Sequence, residues 1–167
     1  GTYSLKITLN SGASYTFSPE LILNRASQQN MNFVQTIIYK AARKQGELVS
    51  TIGEVSEQFS YYDGLGRPLQ TLQTQASPNR RDMIKPVEYD DLGRVNKEYL
   101  PYIANQNDGL FDETALRTAS GNYESSSQNR FYDISNLNTA STAYPYSEVS
   151  YEPSPLNRPV AQYAAGD

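Results

Sequence analysis

A six-residue motif that occurs twice is the feature that most constrains the fold of this chain. Tyr62-Asp-Gly-Leu-Gly-Arg67 and Tyr89-Asp-Asp-Leu-Gly-Arg94 agree at five of six positions and start 27 residues apart (89 − 62). Strand-like sequence flanks each copy. A single Asp-x-x-Gly is a common hairpin turn, but two copies that share Tyr, Leu and Arg at the same offsets favour a duplicated structural unit.

The residue types of the motif are those of a β-hairpin turn. Asp at the first turn position can accept hydrogen bonds from backbone N–H groups within the turn. Gly at the fourth position can take the positive φ that a bulged exit needs. The Arg fork can bind carbonyls or a neighbouring carboxylate, and the Tyr ring can cover the hairpin end. We therefore expect hairpins turning at Asp63–Gly66 and Asp90–Gly93.

A looser third copy lies near the C-terminus, at Tyr151-Glu-Pro-Ser-Pro-Leu-Asn-Arg158. Glu152 replaces Asp, Asn157 replaces Gly, and two residues are added; Asn is the best substitute for Gly at positive φ. We expect residues 147–163 to form an edge hairpin. Tyr132-Asp133 begins like a fourth copy but lacks the Gly-Arg. The predicted structural residues of the repeat motif are Tyr62, Asp63, Gly66, Arg67, Tyr89, Asp90, Gly93, Arg94, Tyr151, Glu152, Asn157 and Arg158.

The rest of the chain also favours β structure. It contains 14 Tyr and 5 Phe but no Trp. Because Tyr has an apolar ring and a polar hydroxyl, it suits a sheet with one solvent-exposed face. Alternating residues 3–9 with a return over 14–17 predict a small hairpin, and residues 32–39 predict a strand. We predict an all-β fold of mainly antiparallel hairpins in an open twisted sheet, with long irregular loops and one short helix at Thr114–Ala119 capped by Gly121. Residues 1–31 would form a small N-terminal β element and residues 32–167 a repeat module.

The motif series resembles the YD-repeat, or RHS, family, whose repeats centre on Tyr-Asp-x-x-Gly-Arg. Tyr99-Leu-Pro-Tyr102 and Tyr144-Pro-Tyr146 extend the resemblance, over about residues 32–166, to an uncharacterised domain that precedes the repeat array in large Bacteroidetes RHS proteins. In characterised relatives the hairpins wind into a hollow β shell that can enclose a C-terminal toxin. This chain has two clear motif copies and one degenerate copy, and it lacks the family's C-terminal core segment. Neither toxin nor protease activity is therefore carried over.

The resemblance implies a non-catalytic structural module of a large secreted or cell-surface protein, which begins or caps a β shell. Its partners would be the downstream YD repeats of the same polypeptide. We expect the chain to be a segment of that longer protein, located outside the cell or at its surface, with the export signal upstream. The alternative is a surface binding module for a glycan or protein partner, although the absence of Trp argues against a dedicated carbohydrate site.

Composition excludes several classes of site. The chain has no Cys and no His, which excludes disulfides, Cys or His metal sites, and Ser-His or Cys-His catalysis. A net charge of −4 without a basic stripe argues against a nucleic-acid partner. No apolar run approaches the roughly 20 residues of a membrane span, so we expect no membrane insertion by this segment.

Acidic residues are the remaining candidates for chemistry. The carboxylates at Asp90-Asp91, Asp112-Glu113, Asp108 and Glu148 show no nucleophile–base arrangement, so we expect no enzyme and no cofactor. The acidic loop at residues 105–113 hints at calcium, which needs several oxygen ligands from one loop. With Gly109 at loop position six, however, position one would be Ala104, and the EF-hand pattern fails. A solvated loop without a metal is the favoured interpretation.

Overall fold

The computed structural model describes residues 5–8, 14–17, 30–41, 52–118, 121–133 and 139–166. A 3₁₀ turn spans Ile52–Glu54, and one short helix, α1, spans Ser127–Phe131. The strands are β1 (Leu5–Thr8), β2 (Ser14–Phe17), β3 (Asn32–Tyr39), β4 (Val55–Tyr62), β5 (Pro68–Gln73), β6 (Met83–Pro86), β7 (Lys97–Tyr99), β8 (Tyr102–Ile103), β9 (Tyr146–Tyr151) and β10 (Pro159–Tyr163).

The strands form three open sheets in which neighbours are antiparallel. A five-stranded sheet has the order β3-β4-β5-β6-β8, a three-stranded sheet has the order β10-β9-β7, and β1 pairs with β2. The prediction of a mainly antiparallel all-β fold with open sheets and one short helix is confirmed. The predicted strand at 32–39 and the predicted hairpin at the N-terminus are also present. Most of residues 1–31 lie outside the described residues, so the proposed domain division stays a prediction.

The core lies on one face of the five-stranded sheet. Strand alternation places apolar side chains of β4, β5, β6 and β8 on that face, because successive residues of a strand point to opposite sides. The loop after β8 and the residues around α1 cover it. The buried cluster consists of Phe59, Tyr61, Leu72, Ile84, Tyr102, Ala104, Ala115 and Tyr132.

The first motif copy joins two paired strands, as predicted. β4 and β5 are antiparallel neighbours, and their register shifts by one residue between Tyr61 and Tyr62, next to the turn. The third copy likewise joins β9 to β10, with Pro159 opposite Tyr151. β10 lies at the edge of its sheet, as expected for residues 147–163.

The second motif copy forms a turn but not a hairpin, which corrects the prediction for Asp90–Gly93. Strand β6, before the turn, is already paired on both sides, with β5 and with β8. Strand β7, after the turn, pairs instead with β9, with Lys97 opposite Glu148. The turn therefore carries the chain from one sheet to the other, a pairing choice that depends on residues far away in sequence.

The helix is also displaced from its predicted position. Residues 114–118 form a turn and irregular backbone, Ala119 lies outside the described residues, and Gly121 accompanies a separate turn with φ of +79°. The carbonyls of Thr114 and Ala115 accept hydrogen bonds from the first N–H groups of α1, at 2.9 and 3.1 Å. The first N–H groups of a helix have no acceptor within the helix. Here two of them are bound by the segment that was predicted to be helical.

Candidate functional site

The candidate functional site is the set of three motif turns, and the first turn is built around one carboxylate. Asp63 Oδ1 accepts hydrogen bonds from the backbone N–H of Leu65 and Arg67, at 2.9 and 2.8 Å. Its other oxygen accepts from Arg67 Nε at 2.7 Å. Backbone bonds Asp63 N to Arg67 O and Gly66 N to Asp63 O close the turn. These hydrogen bonds to the carboxylate, that from the Arg67 backbone first, lower the pKa of Asp63.

The second turn reproduces the first almost bond for bond. Asp90 Oδ1 accepts from Leu92 N and Arg94 N at 3.0 and 2.9 Å, and Oδ2 accepts from Arg94 Nε at 2.8 Å. The pKa of Asp90 is lowered for the same reason, with the Arg94 backbone N–H as the largest cause. The local turn geometry is therefore encoded by the motif itself, whether or not paired strands follow.

In the third turn, two residues share the role of the single Asp. Arg158 donates Nε and Nη2 to the two Glu152 carboxylate oxygens, at 2.8 and 2.9 Å. Ser154 Oγ accepts from Leu156 N at 3.2 Å, two residues on, as Asp63 Oδ1 does from Leu65. Glu152 thus binds the motif Arg and Ser154 binds the backbone of the turn, the two functions that Asp63 combines in the first turn. The hydrogen bond from Arg158 lowers the pKa of Glu152.

The predicted positive φ at the Gly or Asn that precedes the motif Arg is confirmed in all three copies. Gly66 has φ of +78° and Gly93 of +75°, and Asn157 has +52°. This region is strained for most L-residues and open to Gly and Asn. The residue just before this position is Leu in every copy, and these leucines, Leu65, Leu92 and Leu156, are 79%, 72% and 70% exposed.

The Arg of each of the first two motifs reaches forward to the next motif. The guanidinium carbon of Arg67 lies 4.5 Å from the centroid of the Tyr89 ring. The guanidinium carbon of Arg94 lies 4.6 Å from the centroid of the Tyr151 ring. In this position the planar cation is attracted by the negative face of the ring. The sequence indicated that Arg would bind a carboxylate, which it does, but gave no sign that it would also stack on the next Tyr.

The same guanidinium groups also meet the Gly or Asn that precedes the Arg of the next turn. A Cβ on Gly93 would lie 3.2 Å from Arg67 Nη1, so the Arg lies close over the glycine. Arg94 Nη1 donates to Asn157 Oδ1 at 2.6 Å. Each successive pair of motifs is therefore joined at two points, by a ring stack and by a contact at the Gly or Asn position. We call this arrangement the motif relay.

Comparison with known proteins identifies one family model. Residues 26–167 match the family model described as Domain of unknown function (DUF6443). The chain belongs to the DUF6443 family. No curated protein and no solved structure matches the chain. The family match includes all three turns of the motif relay.

The DUF6443 domain contains buried polar side chains that the motif did not indicate. Asp82, fully buried, accepts from Gln75 N and Gly109 N at 2.8 Å each, and burial raises its pKa. Gln70 exchanges two hydrogen bonds with the backbone of Asp112, at 2.6 and 3.0 Å. Gln70 lies on the core face of β5, as Leu72 does. A polar residue at a position that the strand alternation assigns to the core was therefore the one sequence sign of a buried polar group. The hydrogen bonds of these side chains join irregular loops to the sheet.

The acidic loop at residues 105–113 is only partly solvated: Asn105, Asn107 and Glu113 are exposed, whereas Gly109 is buried against the core. The Gly109 carbonyl accepts from the Tyr61 hydroxyl at 2.6 Å, and a Cβ on Gly109 would lie 2.5 Å from the Phe59 ring. The Phe111 ring packs 5.4 Å from that of Tyr61. Within the described ranges, no three carboxylates come together as a metal site requires. In the same part of the chain, no helix is long and apolar enough to cross a bilayer.

The DUF6443 domain also has an open groove of about 520 Å³ beside α1. Two of its hydroxyls point into the protein: Tyr123 donates to Gln128 Oε1 and Tyr132 donates to the Pro101 carbonyl, both at 2.6 Å. Tyr144 is exposed. Aromatic and acidic side chains line the groove, namely Tyr123, Tyr132, Tyr144, Tyr146, Glu124 and Asp133.

Proposed function

We propose that this DUF6443 domain is a non-catalytic structural module of a large secreted or cell-surface RHS protein, in which it begins or caps a shell of YD-repeat hairpins. The observation that carries the proposal is the motif relay. Arg67 stacks on Tyr89 and Arg94 stacks on Tyr151, so consecutive motif copies are joined by the same contact. A contact that recurs between copies is suited to an array of further copies.

The edge of the three-stranded sheet supports the same proposal. β10 is an edge strand, and an edge strand exposes backbone N–H and C=O groups that another strand can pair with. Its neighbour in the array would be the first of the downstream YD repeats. The proposal places the domain outside the cell or at its surface and gives it no nucleic-acid partner.

The experiment compares the domain alone with the domain followed by three appended motif hairpins. We expect the backbone amides of residues 160–163 in β10 to exchange more slowly with solvent in the extended protein. A matched control carries the same appended hairpins with Ser in place of each motif Tyr and Val in place of each motif Gly. Equal exchange rates in all three proteins would contradict the proposal. The parent reading frame is a second test, since further Tyr-Asp-x-x-Gly-Arg copies are expected after residue 167.

A surface binding module for a glycan or a protein is the second candidate, and the tyrosine-lined groove is the observation that favours it. Concave sites with aromatic walls and a few polar groups are typical of ligand pockets. Exposed Tyr144 would contribute a ring face. In a screen of oligosaccharides and peptides, binding that Tyr144→Ala removes and Tyr163→Ala preserves would support this candidate. Screening that finds no ligand sensitive to Tyr144 would count against it.

A further inference from the structure

Arg158 is held in the same way as the two arginines that stack on a following Tyr. Its Nε and Nη2 are bound to Glu152, which fixes the plane of the guanidinium. Arg67 and Arg94 are each fixed through Nε by their own Asp. The Arg158 side chain is 69% exposed, whereas those of Arg67 and Arg94 are 39% and 24% exposed. Arg158 is thus a preorganised cation with an accessible face.

The two stacked arginines show what such a face accepts. In each, the guanidinium covers the Tyr of another turn while Nη1 meets the Gly or Asn of that same turn. An isolated aromatic ligand would supply only the first contact. A hairpin turn with Tyr before an acidic residue and with Gly or Asn at positive φ supplies both. Among the described residues, no aromatic ring lies over Arg158 in the manner of these two.

We infer that Arg158 is the docking point for a fourth motif turn, whose Tyr ring stacks on the guanidinium and whose Gly or Asn lies against Nη1. The inference rests on the proposed function and names the side chain that makes the next contact of the motif relay. The occupant is a further hairpin rather than the first motif of a second copy. Both existing contacts join motifs that follow one another along a single chain, whereas Tyr62, the corresponding ring of the first motif, would have to come from a second copy.

The test appends a second copy of residues 144–166 to the full chain and follows arginine side chains by NMR. A ring stacked on a guanidinium shifts the neighbouring Arg δ-proton signals upfield. In the unextended chain we expect this shift for Arg67 and Arg94 but not for Arg158. In the extended chain we expect it for Arg158 too, and we expect it to vanish when the Tyr corresponding to Tyr151 in the appended copy is changed to Leu.

The outcomes separate the docking role of Arg158 from the proposed function of the domain as a structural module. An appended hairpin that is protected from hydrogen exchange while the Arg158 signals stay unshifted overturns the docking role of Arg158 and leaves the structural-module proposal intact. An appended hairpin without protection overturns both. A concentration-dependent Arg158 shift in the unextended chain would assign the site to a second copy and overturn the inference. Arg158→Gln, which removes the cation at an exposed position, should reduce the protection of the appended hairpin by about threefold, the size of an exposed cation–π contact.

Discussion

The guanidinium of Arg94 lies over the ring of Tyr151, 4.6 Å from its centroid, and so links the second motif turn to the third. The second turn has no strand ladder of its own, because its flanking strands belong to different sheets. The strand after the second turn, β7, pairs with β9, the strand before the third turn, and the Arg94–Tyr151 contact adds a side-chain link to this ladder.

This contact predicts energetic coupling between the two residues. In a double-mutant cycle with Arg94→Gln and Tyr151→Leu, we expect a coupling free energy of about 0.5–1 kcal/mol, the range of a partly exposed cation–π pair. Urea unfolding of the four proteins measures it. Arg130→Gln combined with Tyr151→Leu is the control cycle and should be additive. Additivity in the Arg94 cycle would contradict a stabilising relay.

The motif glycines Gly66 and Gly93 should differ in their tolerance of a side chain. Gly66→Ala and Gly93→Ala both place a Cβ at positive φ, which costs roughly 1 kcal/mol. At residue 93 the added Cβ also meets Arg67 Nη1 at 3.2 Å, whereas at residue 66 it meets nothing within 4 Å. We therefore expect Gly93→Ala to lower the free energy of unfolding more than Gly66→Ala, and Gly93→Val to lower it further. Thermal unfolding ranks the three variants, and a Gly93→Val protein that melts like the parent would refute the turn assignment.

The turn carboxylates should make the domain sensitive to acid. The folded-state pKa values of Asp63 and Asp90 are lowered, below an unfolded value of about 3.9. As the pH falls, the unfolded chain binds these protons first, so the stabilisation present at neutral pH is lost from about pH 5 downward. Urea unfolding between pH 7 and pH 3 should show this decline. Asp90→Asn should have a shallower decline than the parent, and an identical slope would contradict the assignment.

Two leucines provide a matched pair for the core. Leu72 is fully buried in the core cluster, whereas Leu92 at the second turn is 72% exposed. We expect Leu72→Ala to lower the free energy of unfolding by about 2–5 kcal/mol through lost burial and a residual cavity. Leu92→Ala should change it by less than about 0.5 kcal/mol. Urea denaturation of both variants tests the placement of the core, and similar losses in the two would contradict it.

The edge strand β10 should support weak self-association. Val160 is 65% exposed on this strand, and the neighbouring edge has few charges. Such an edge can pair with that of another copy, although Pro159 removes one donor and weakens the pairing. Sedimentation over a concentration series should reveal a weak dimer, and Val160→Lys should abolish it. A strict monomer at every concentration would remove the support that this edge gives to the shell proposal.

Local chemistry explains which features could be predicted from the sequence. The turns at Asp63 and Asp90 follow from hydrogen bonds within five residues, so the motif alone predicts them and the positive φ at Gly66 and Gly93. The pairing of β7 with β9 and the stack of Arg94 on Tyr151 join residues far apart in the chain, and no local pattern encodes such partners. Asp82 and Gln128 are buried because their side chains bind backbone groups of segments far along the chain, such as Gly109 and Pro145. Since those partners are not apparent from the local sequence, neither residue can be told from a solvated polar residue by its sequence alone.

The forward reach of Arg67 and Arg94 gives the three motifs a direction. In the array that we propose, the cation of one motif serves the ring of the next, so any number of motifs would leave a single open cation at one end and a single open ring at the other. Duplicating or deleting a whole motif therefore leaves the number of open ends unchanged. A gene encoding such a protein can lengthen or shorten by complete periods without creating a new unpaired terminus inside the array.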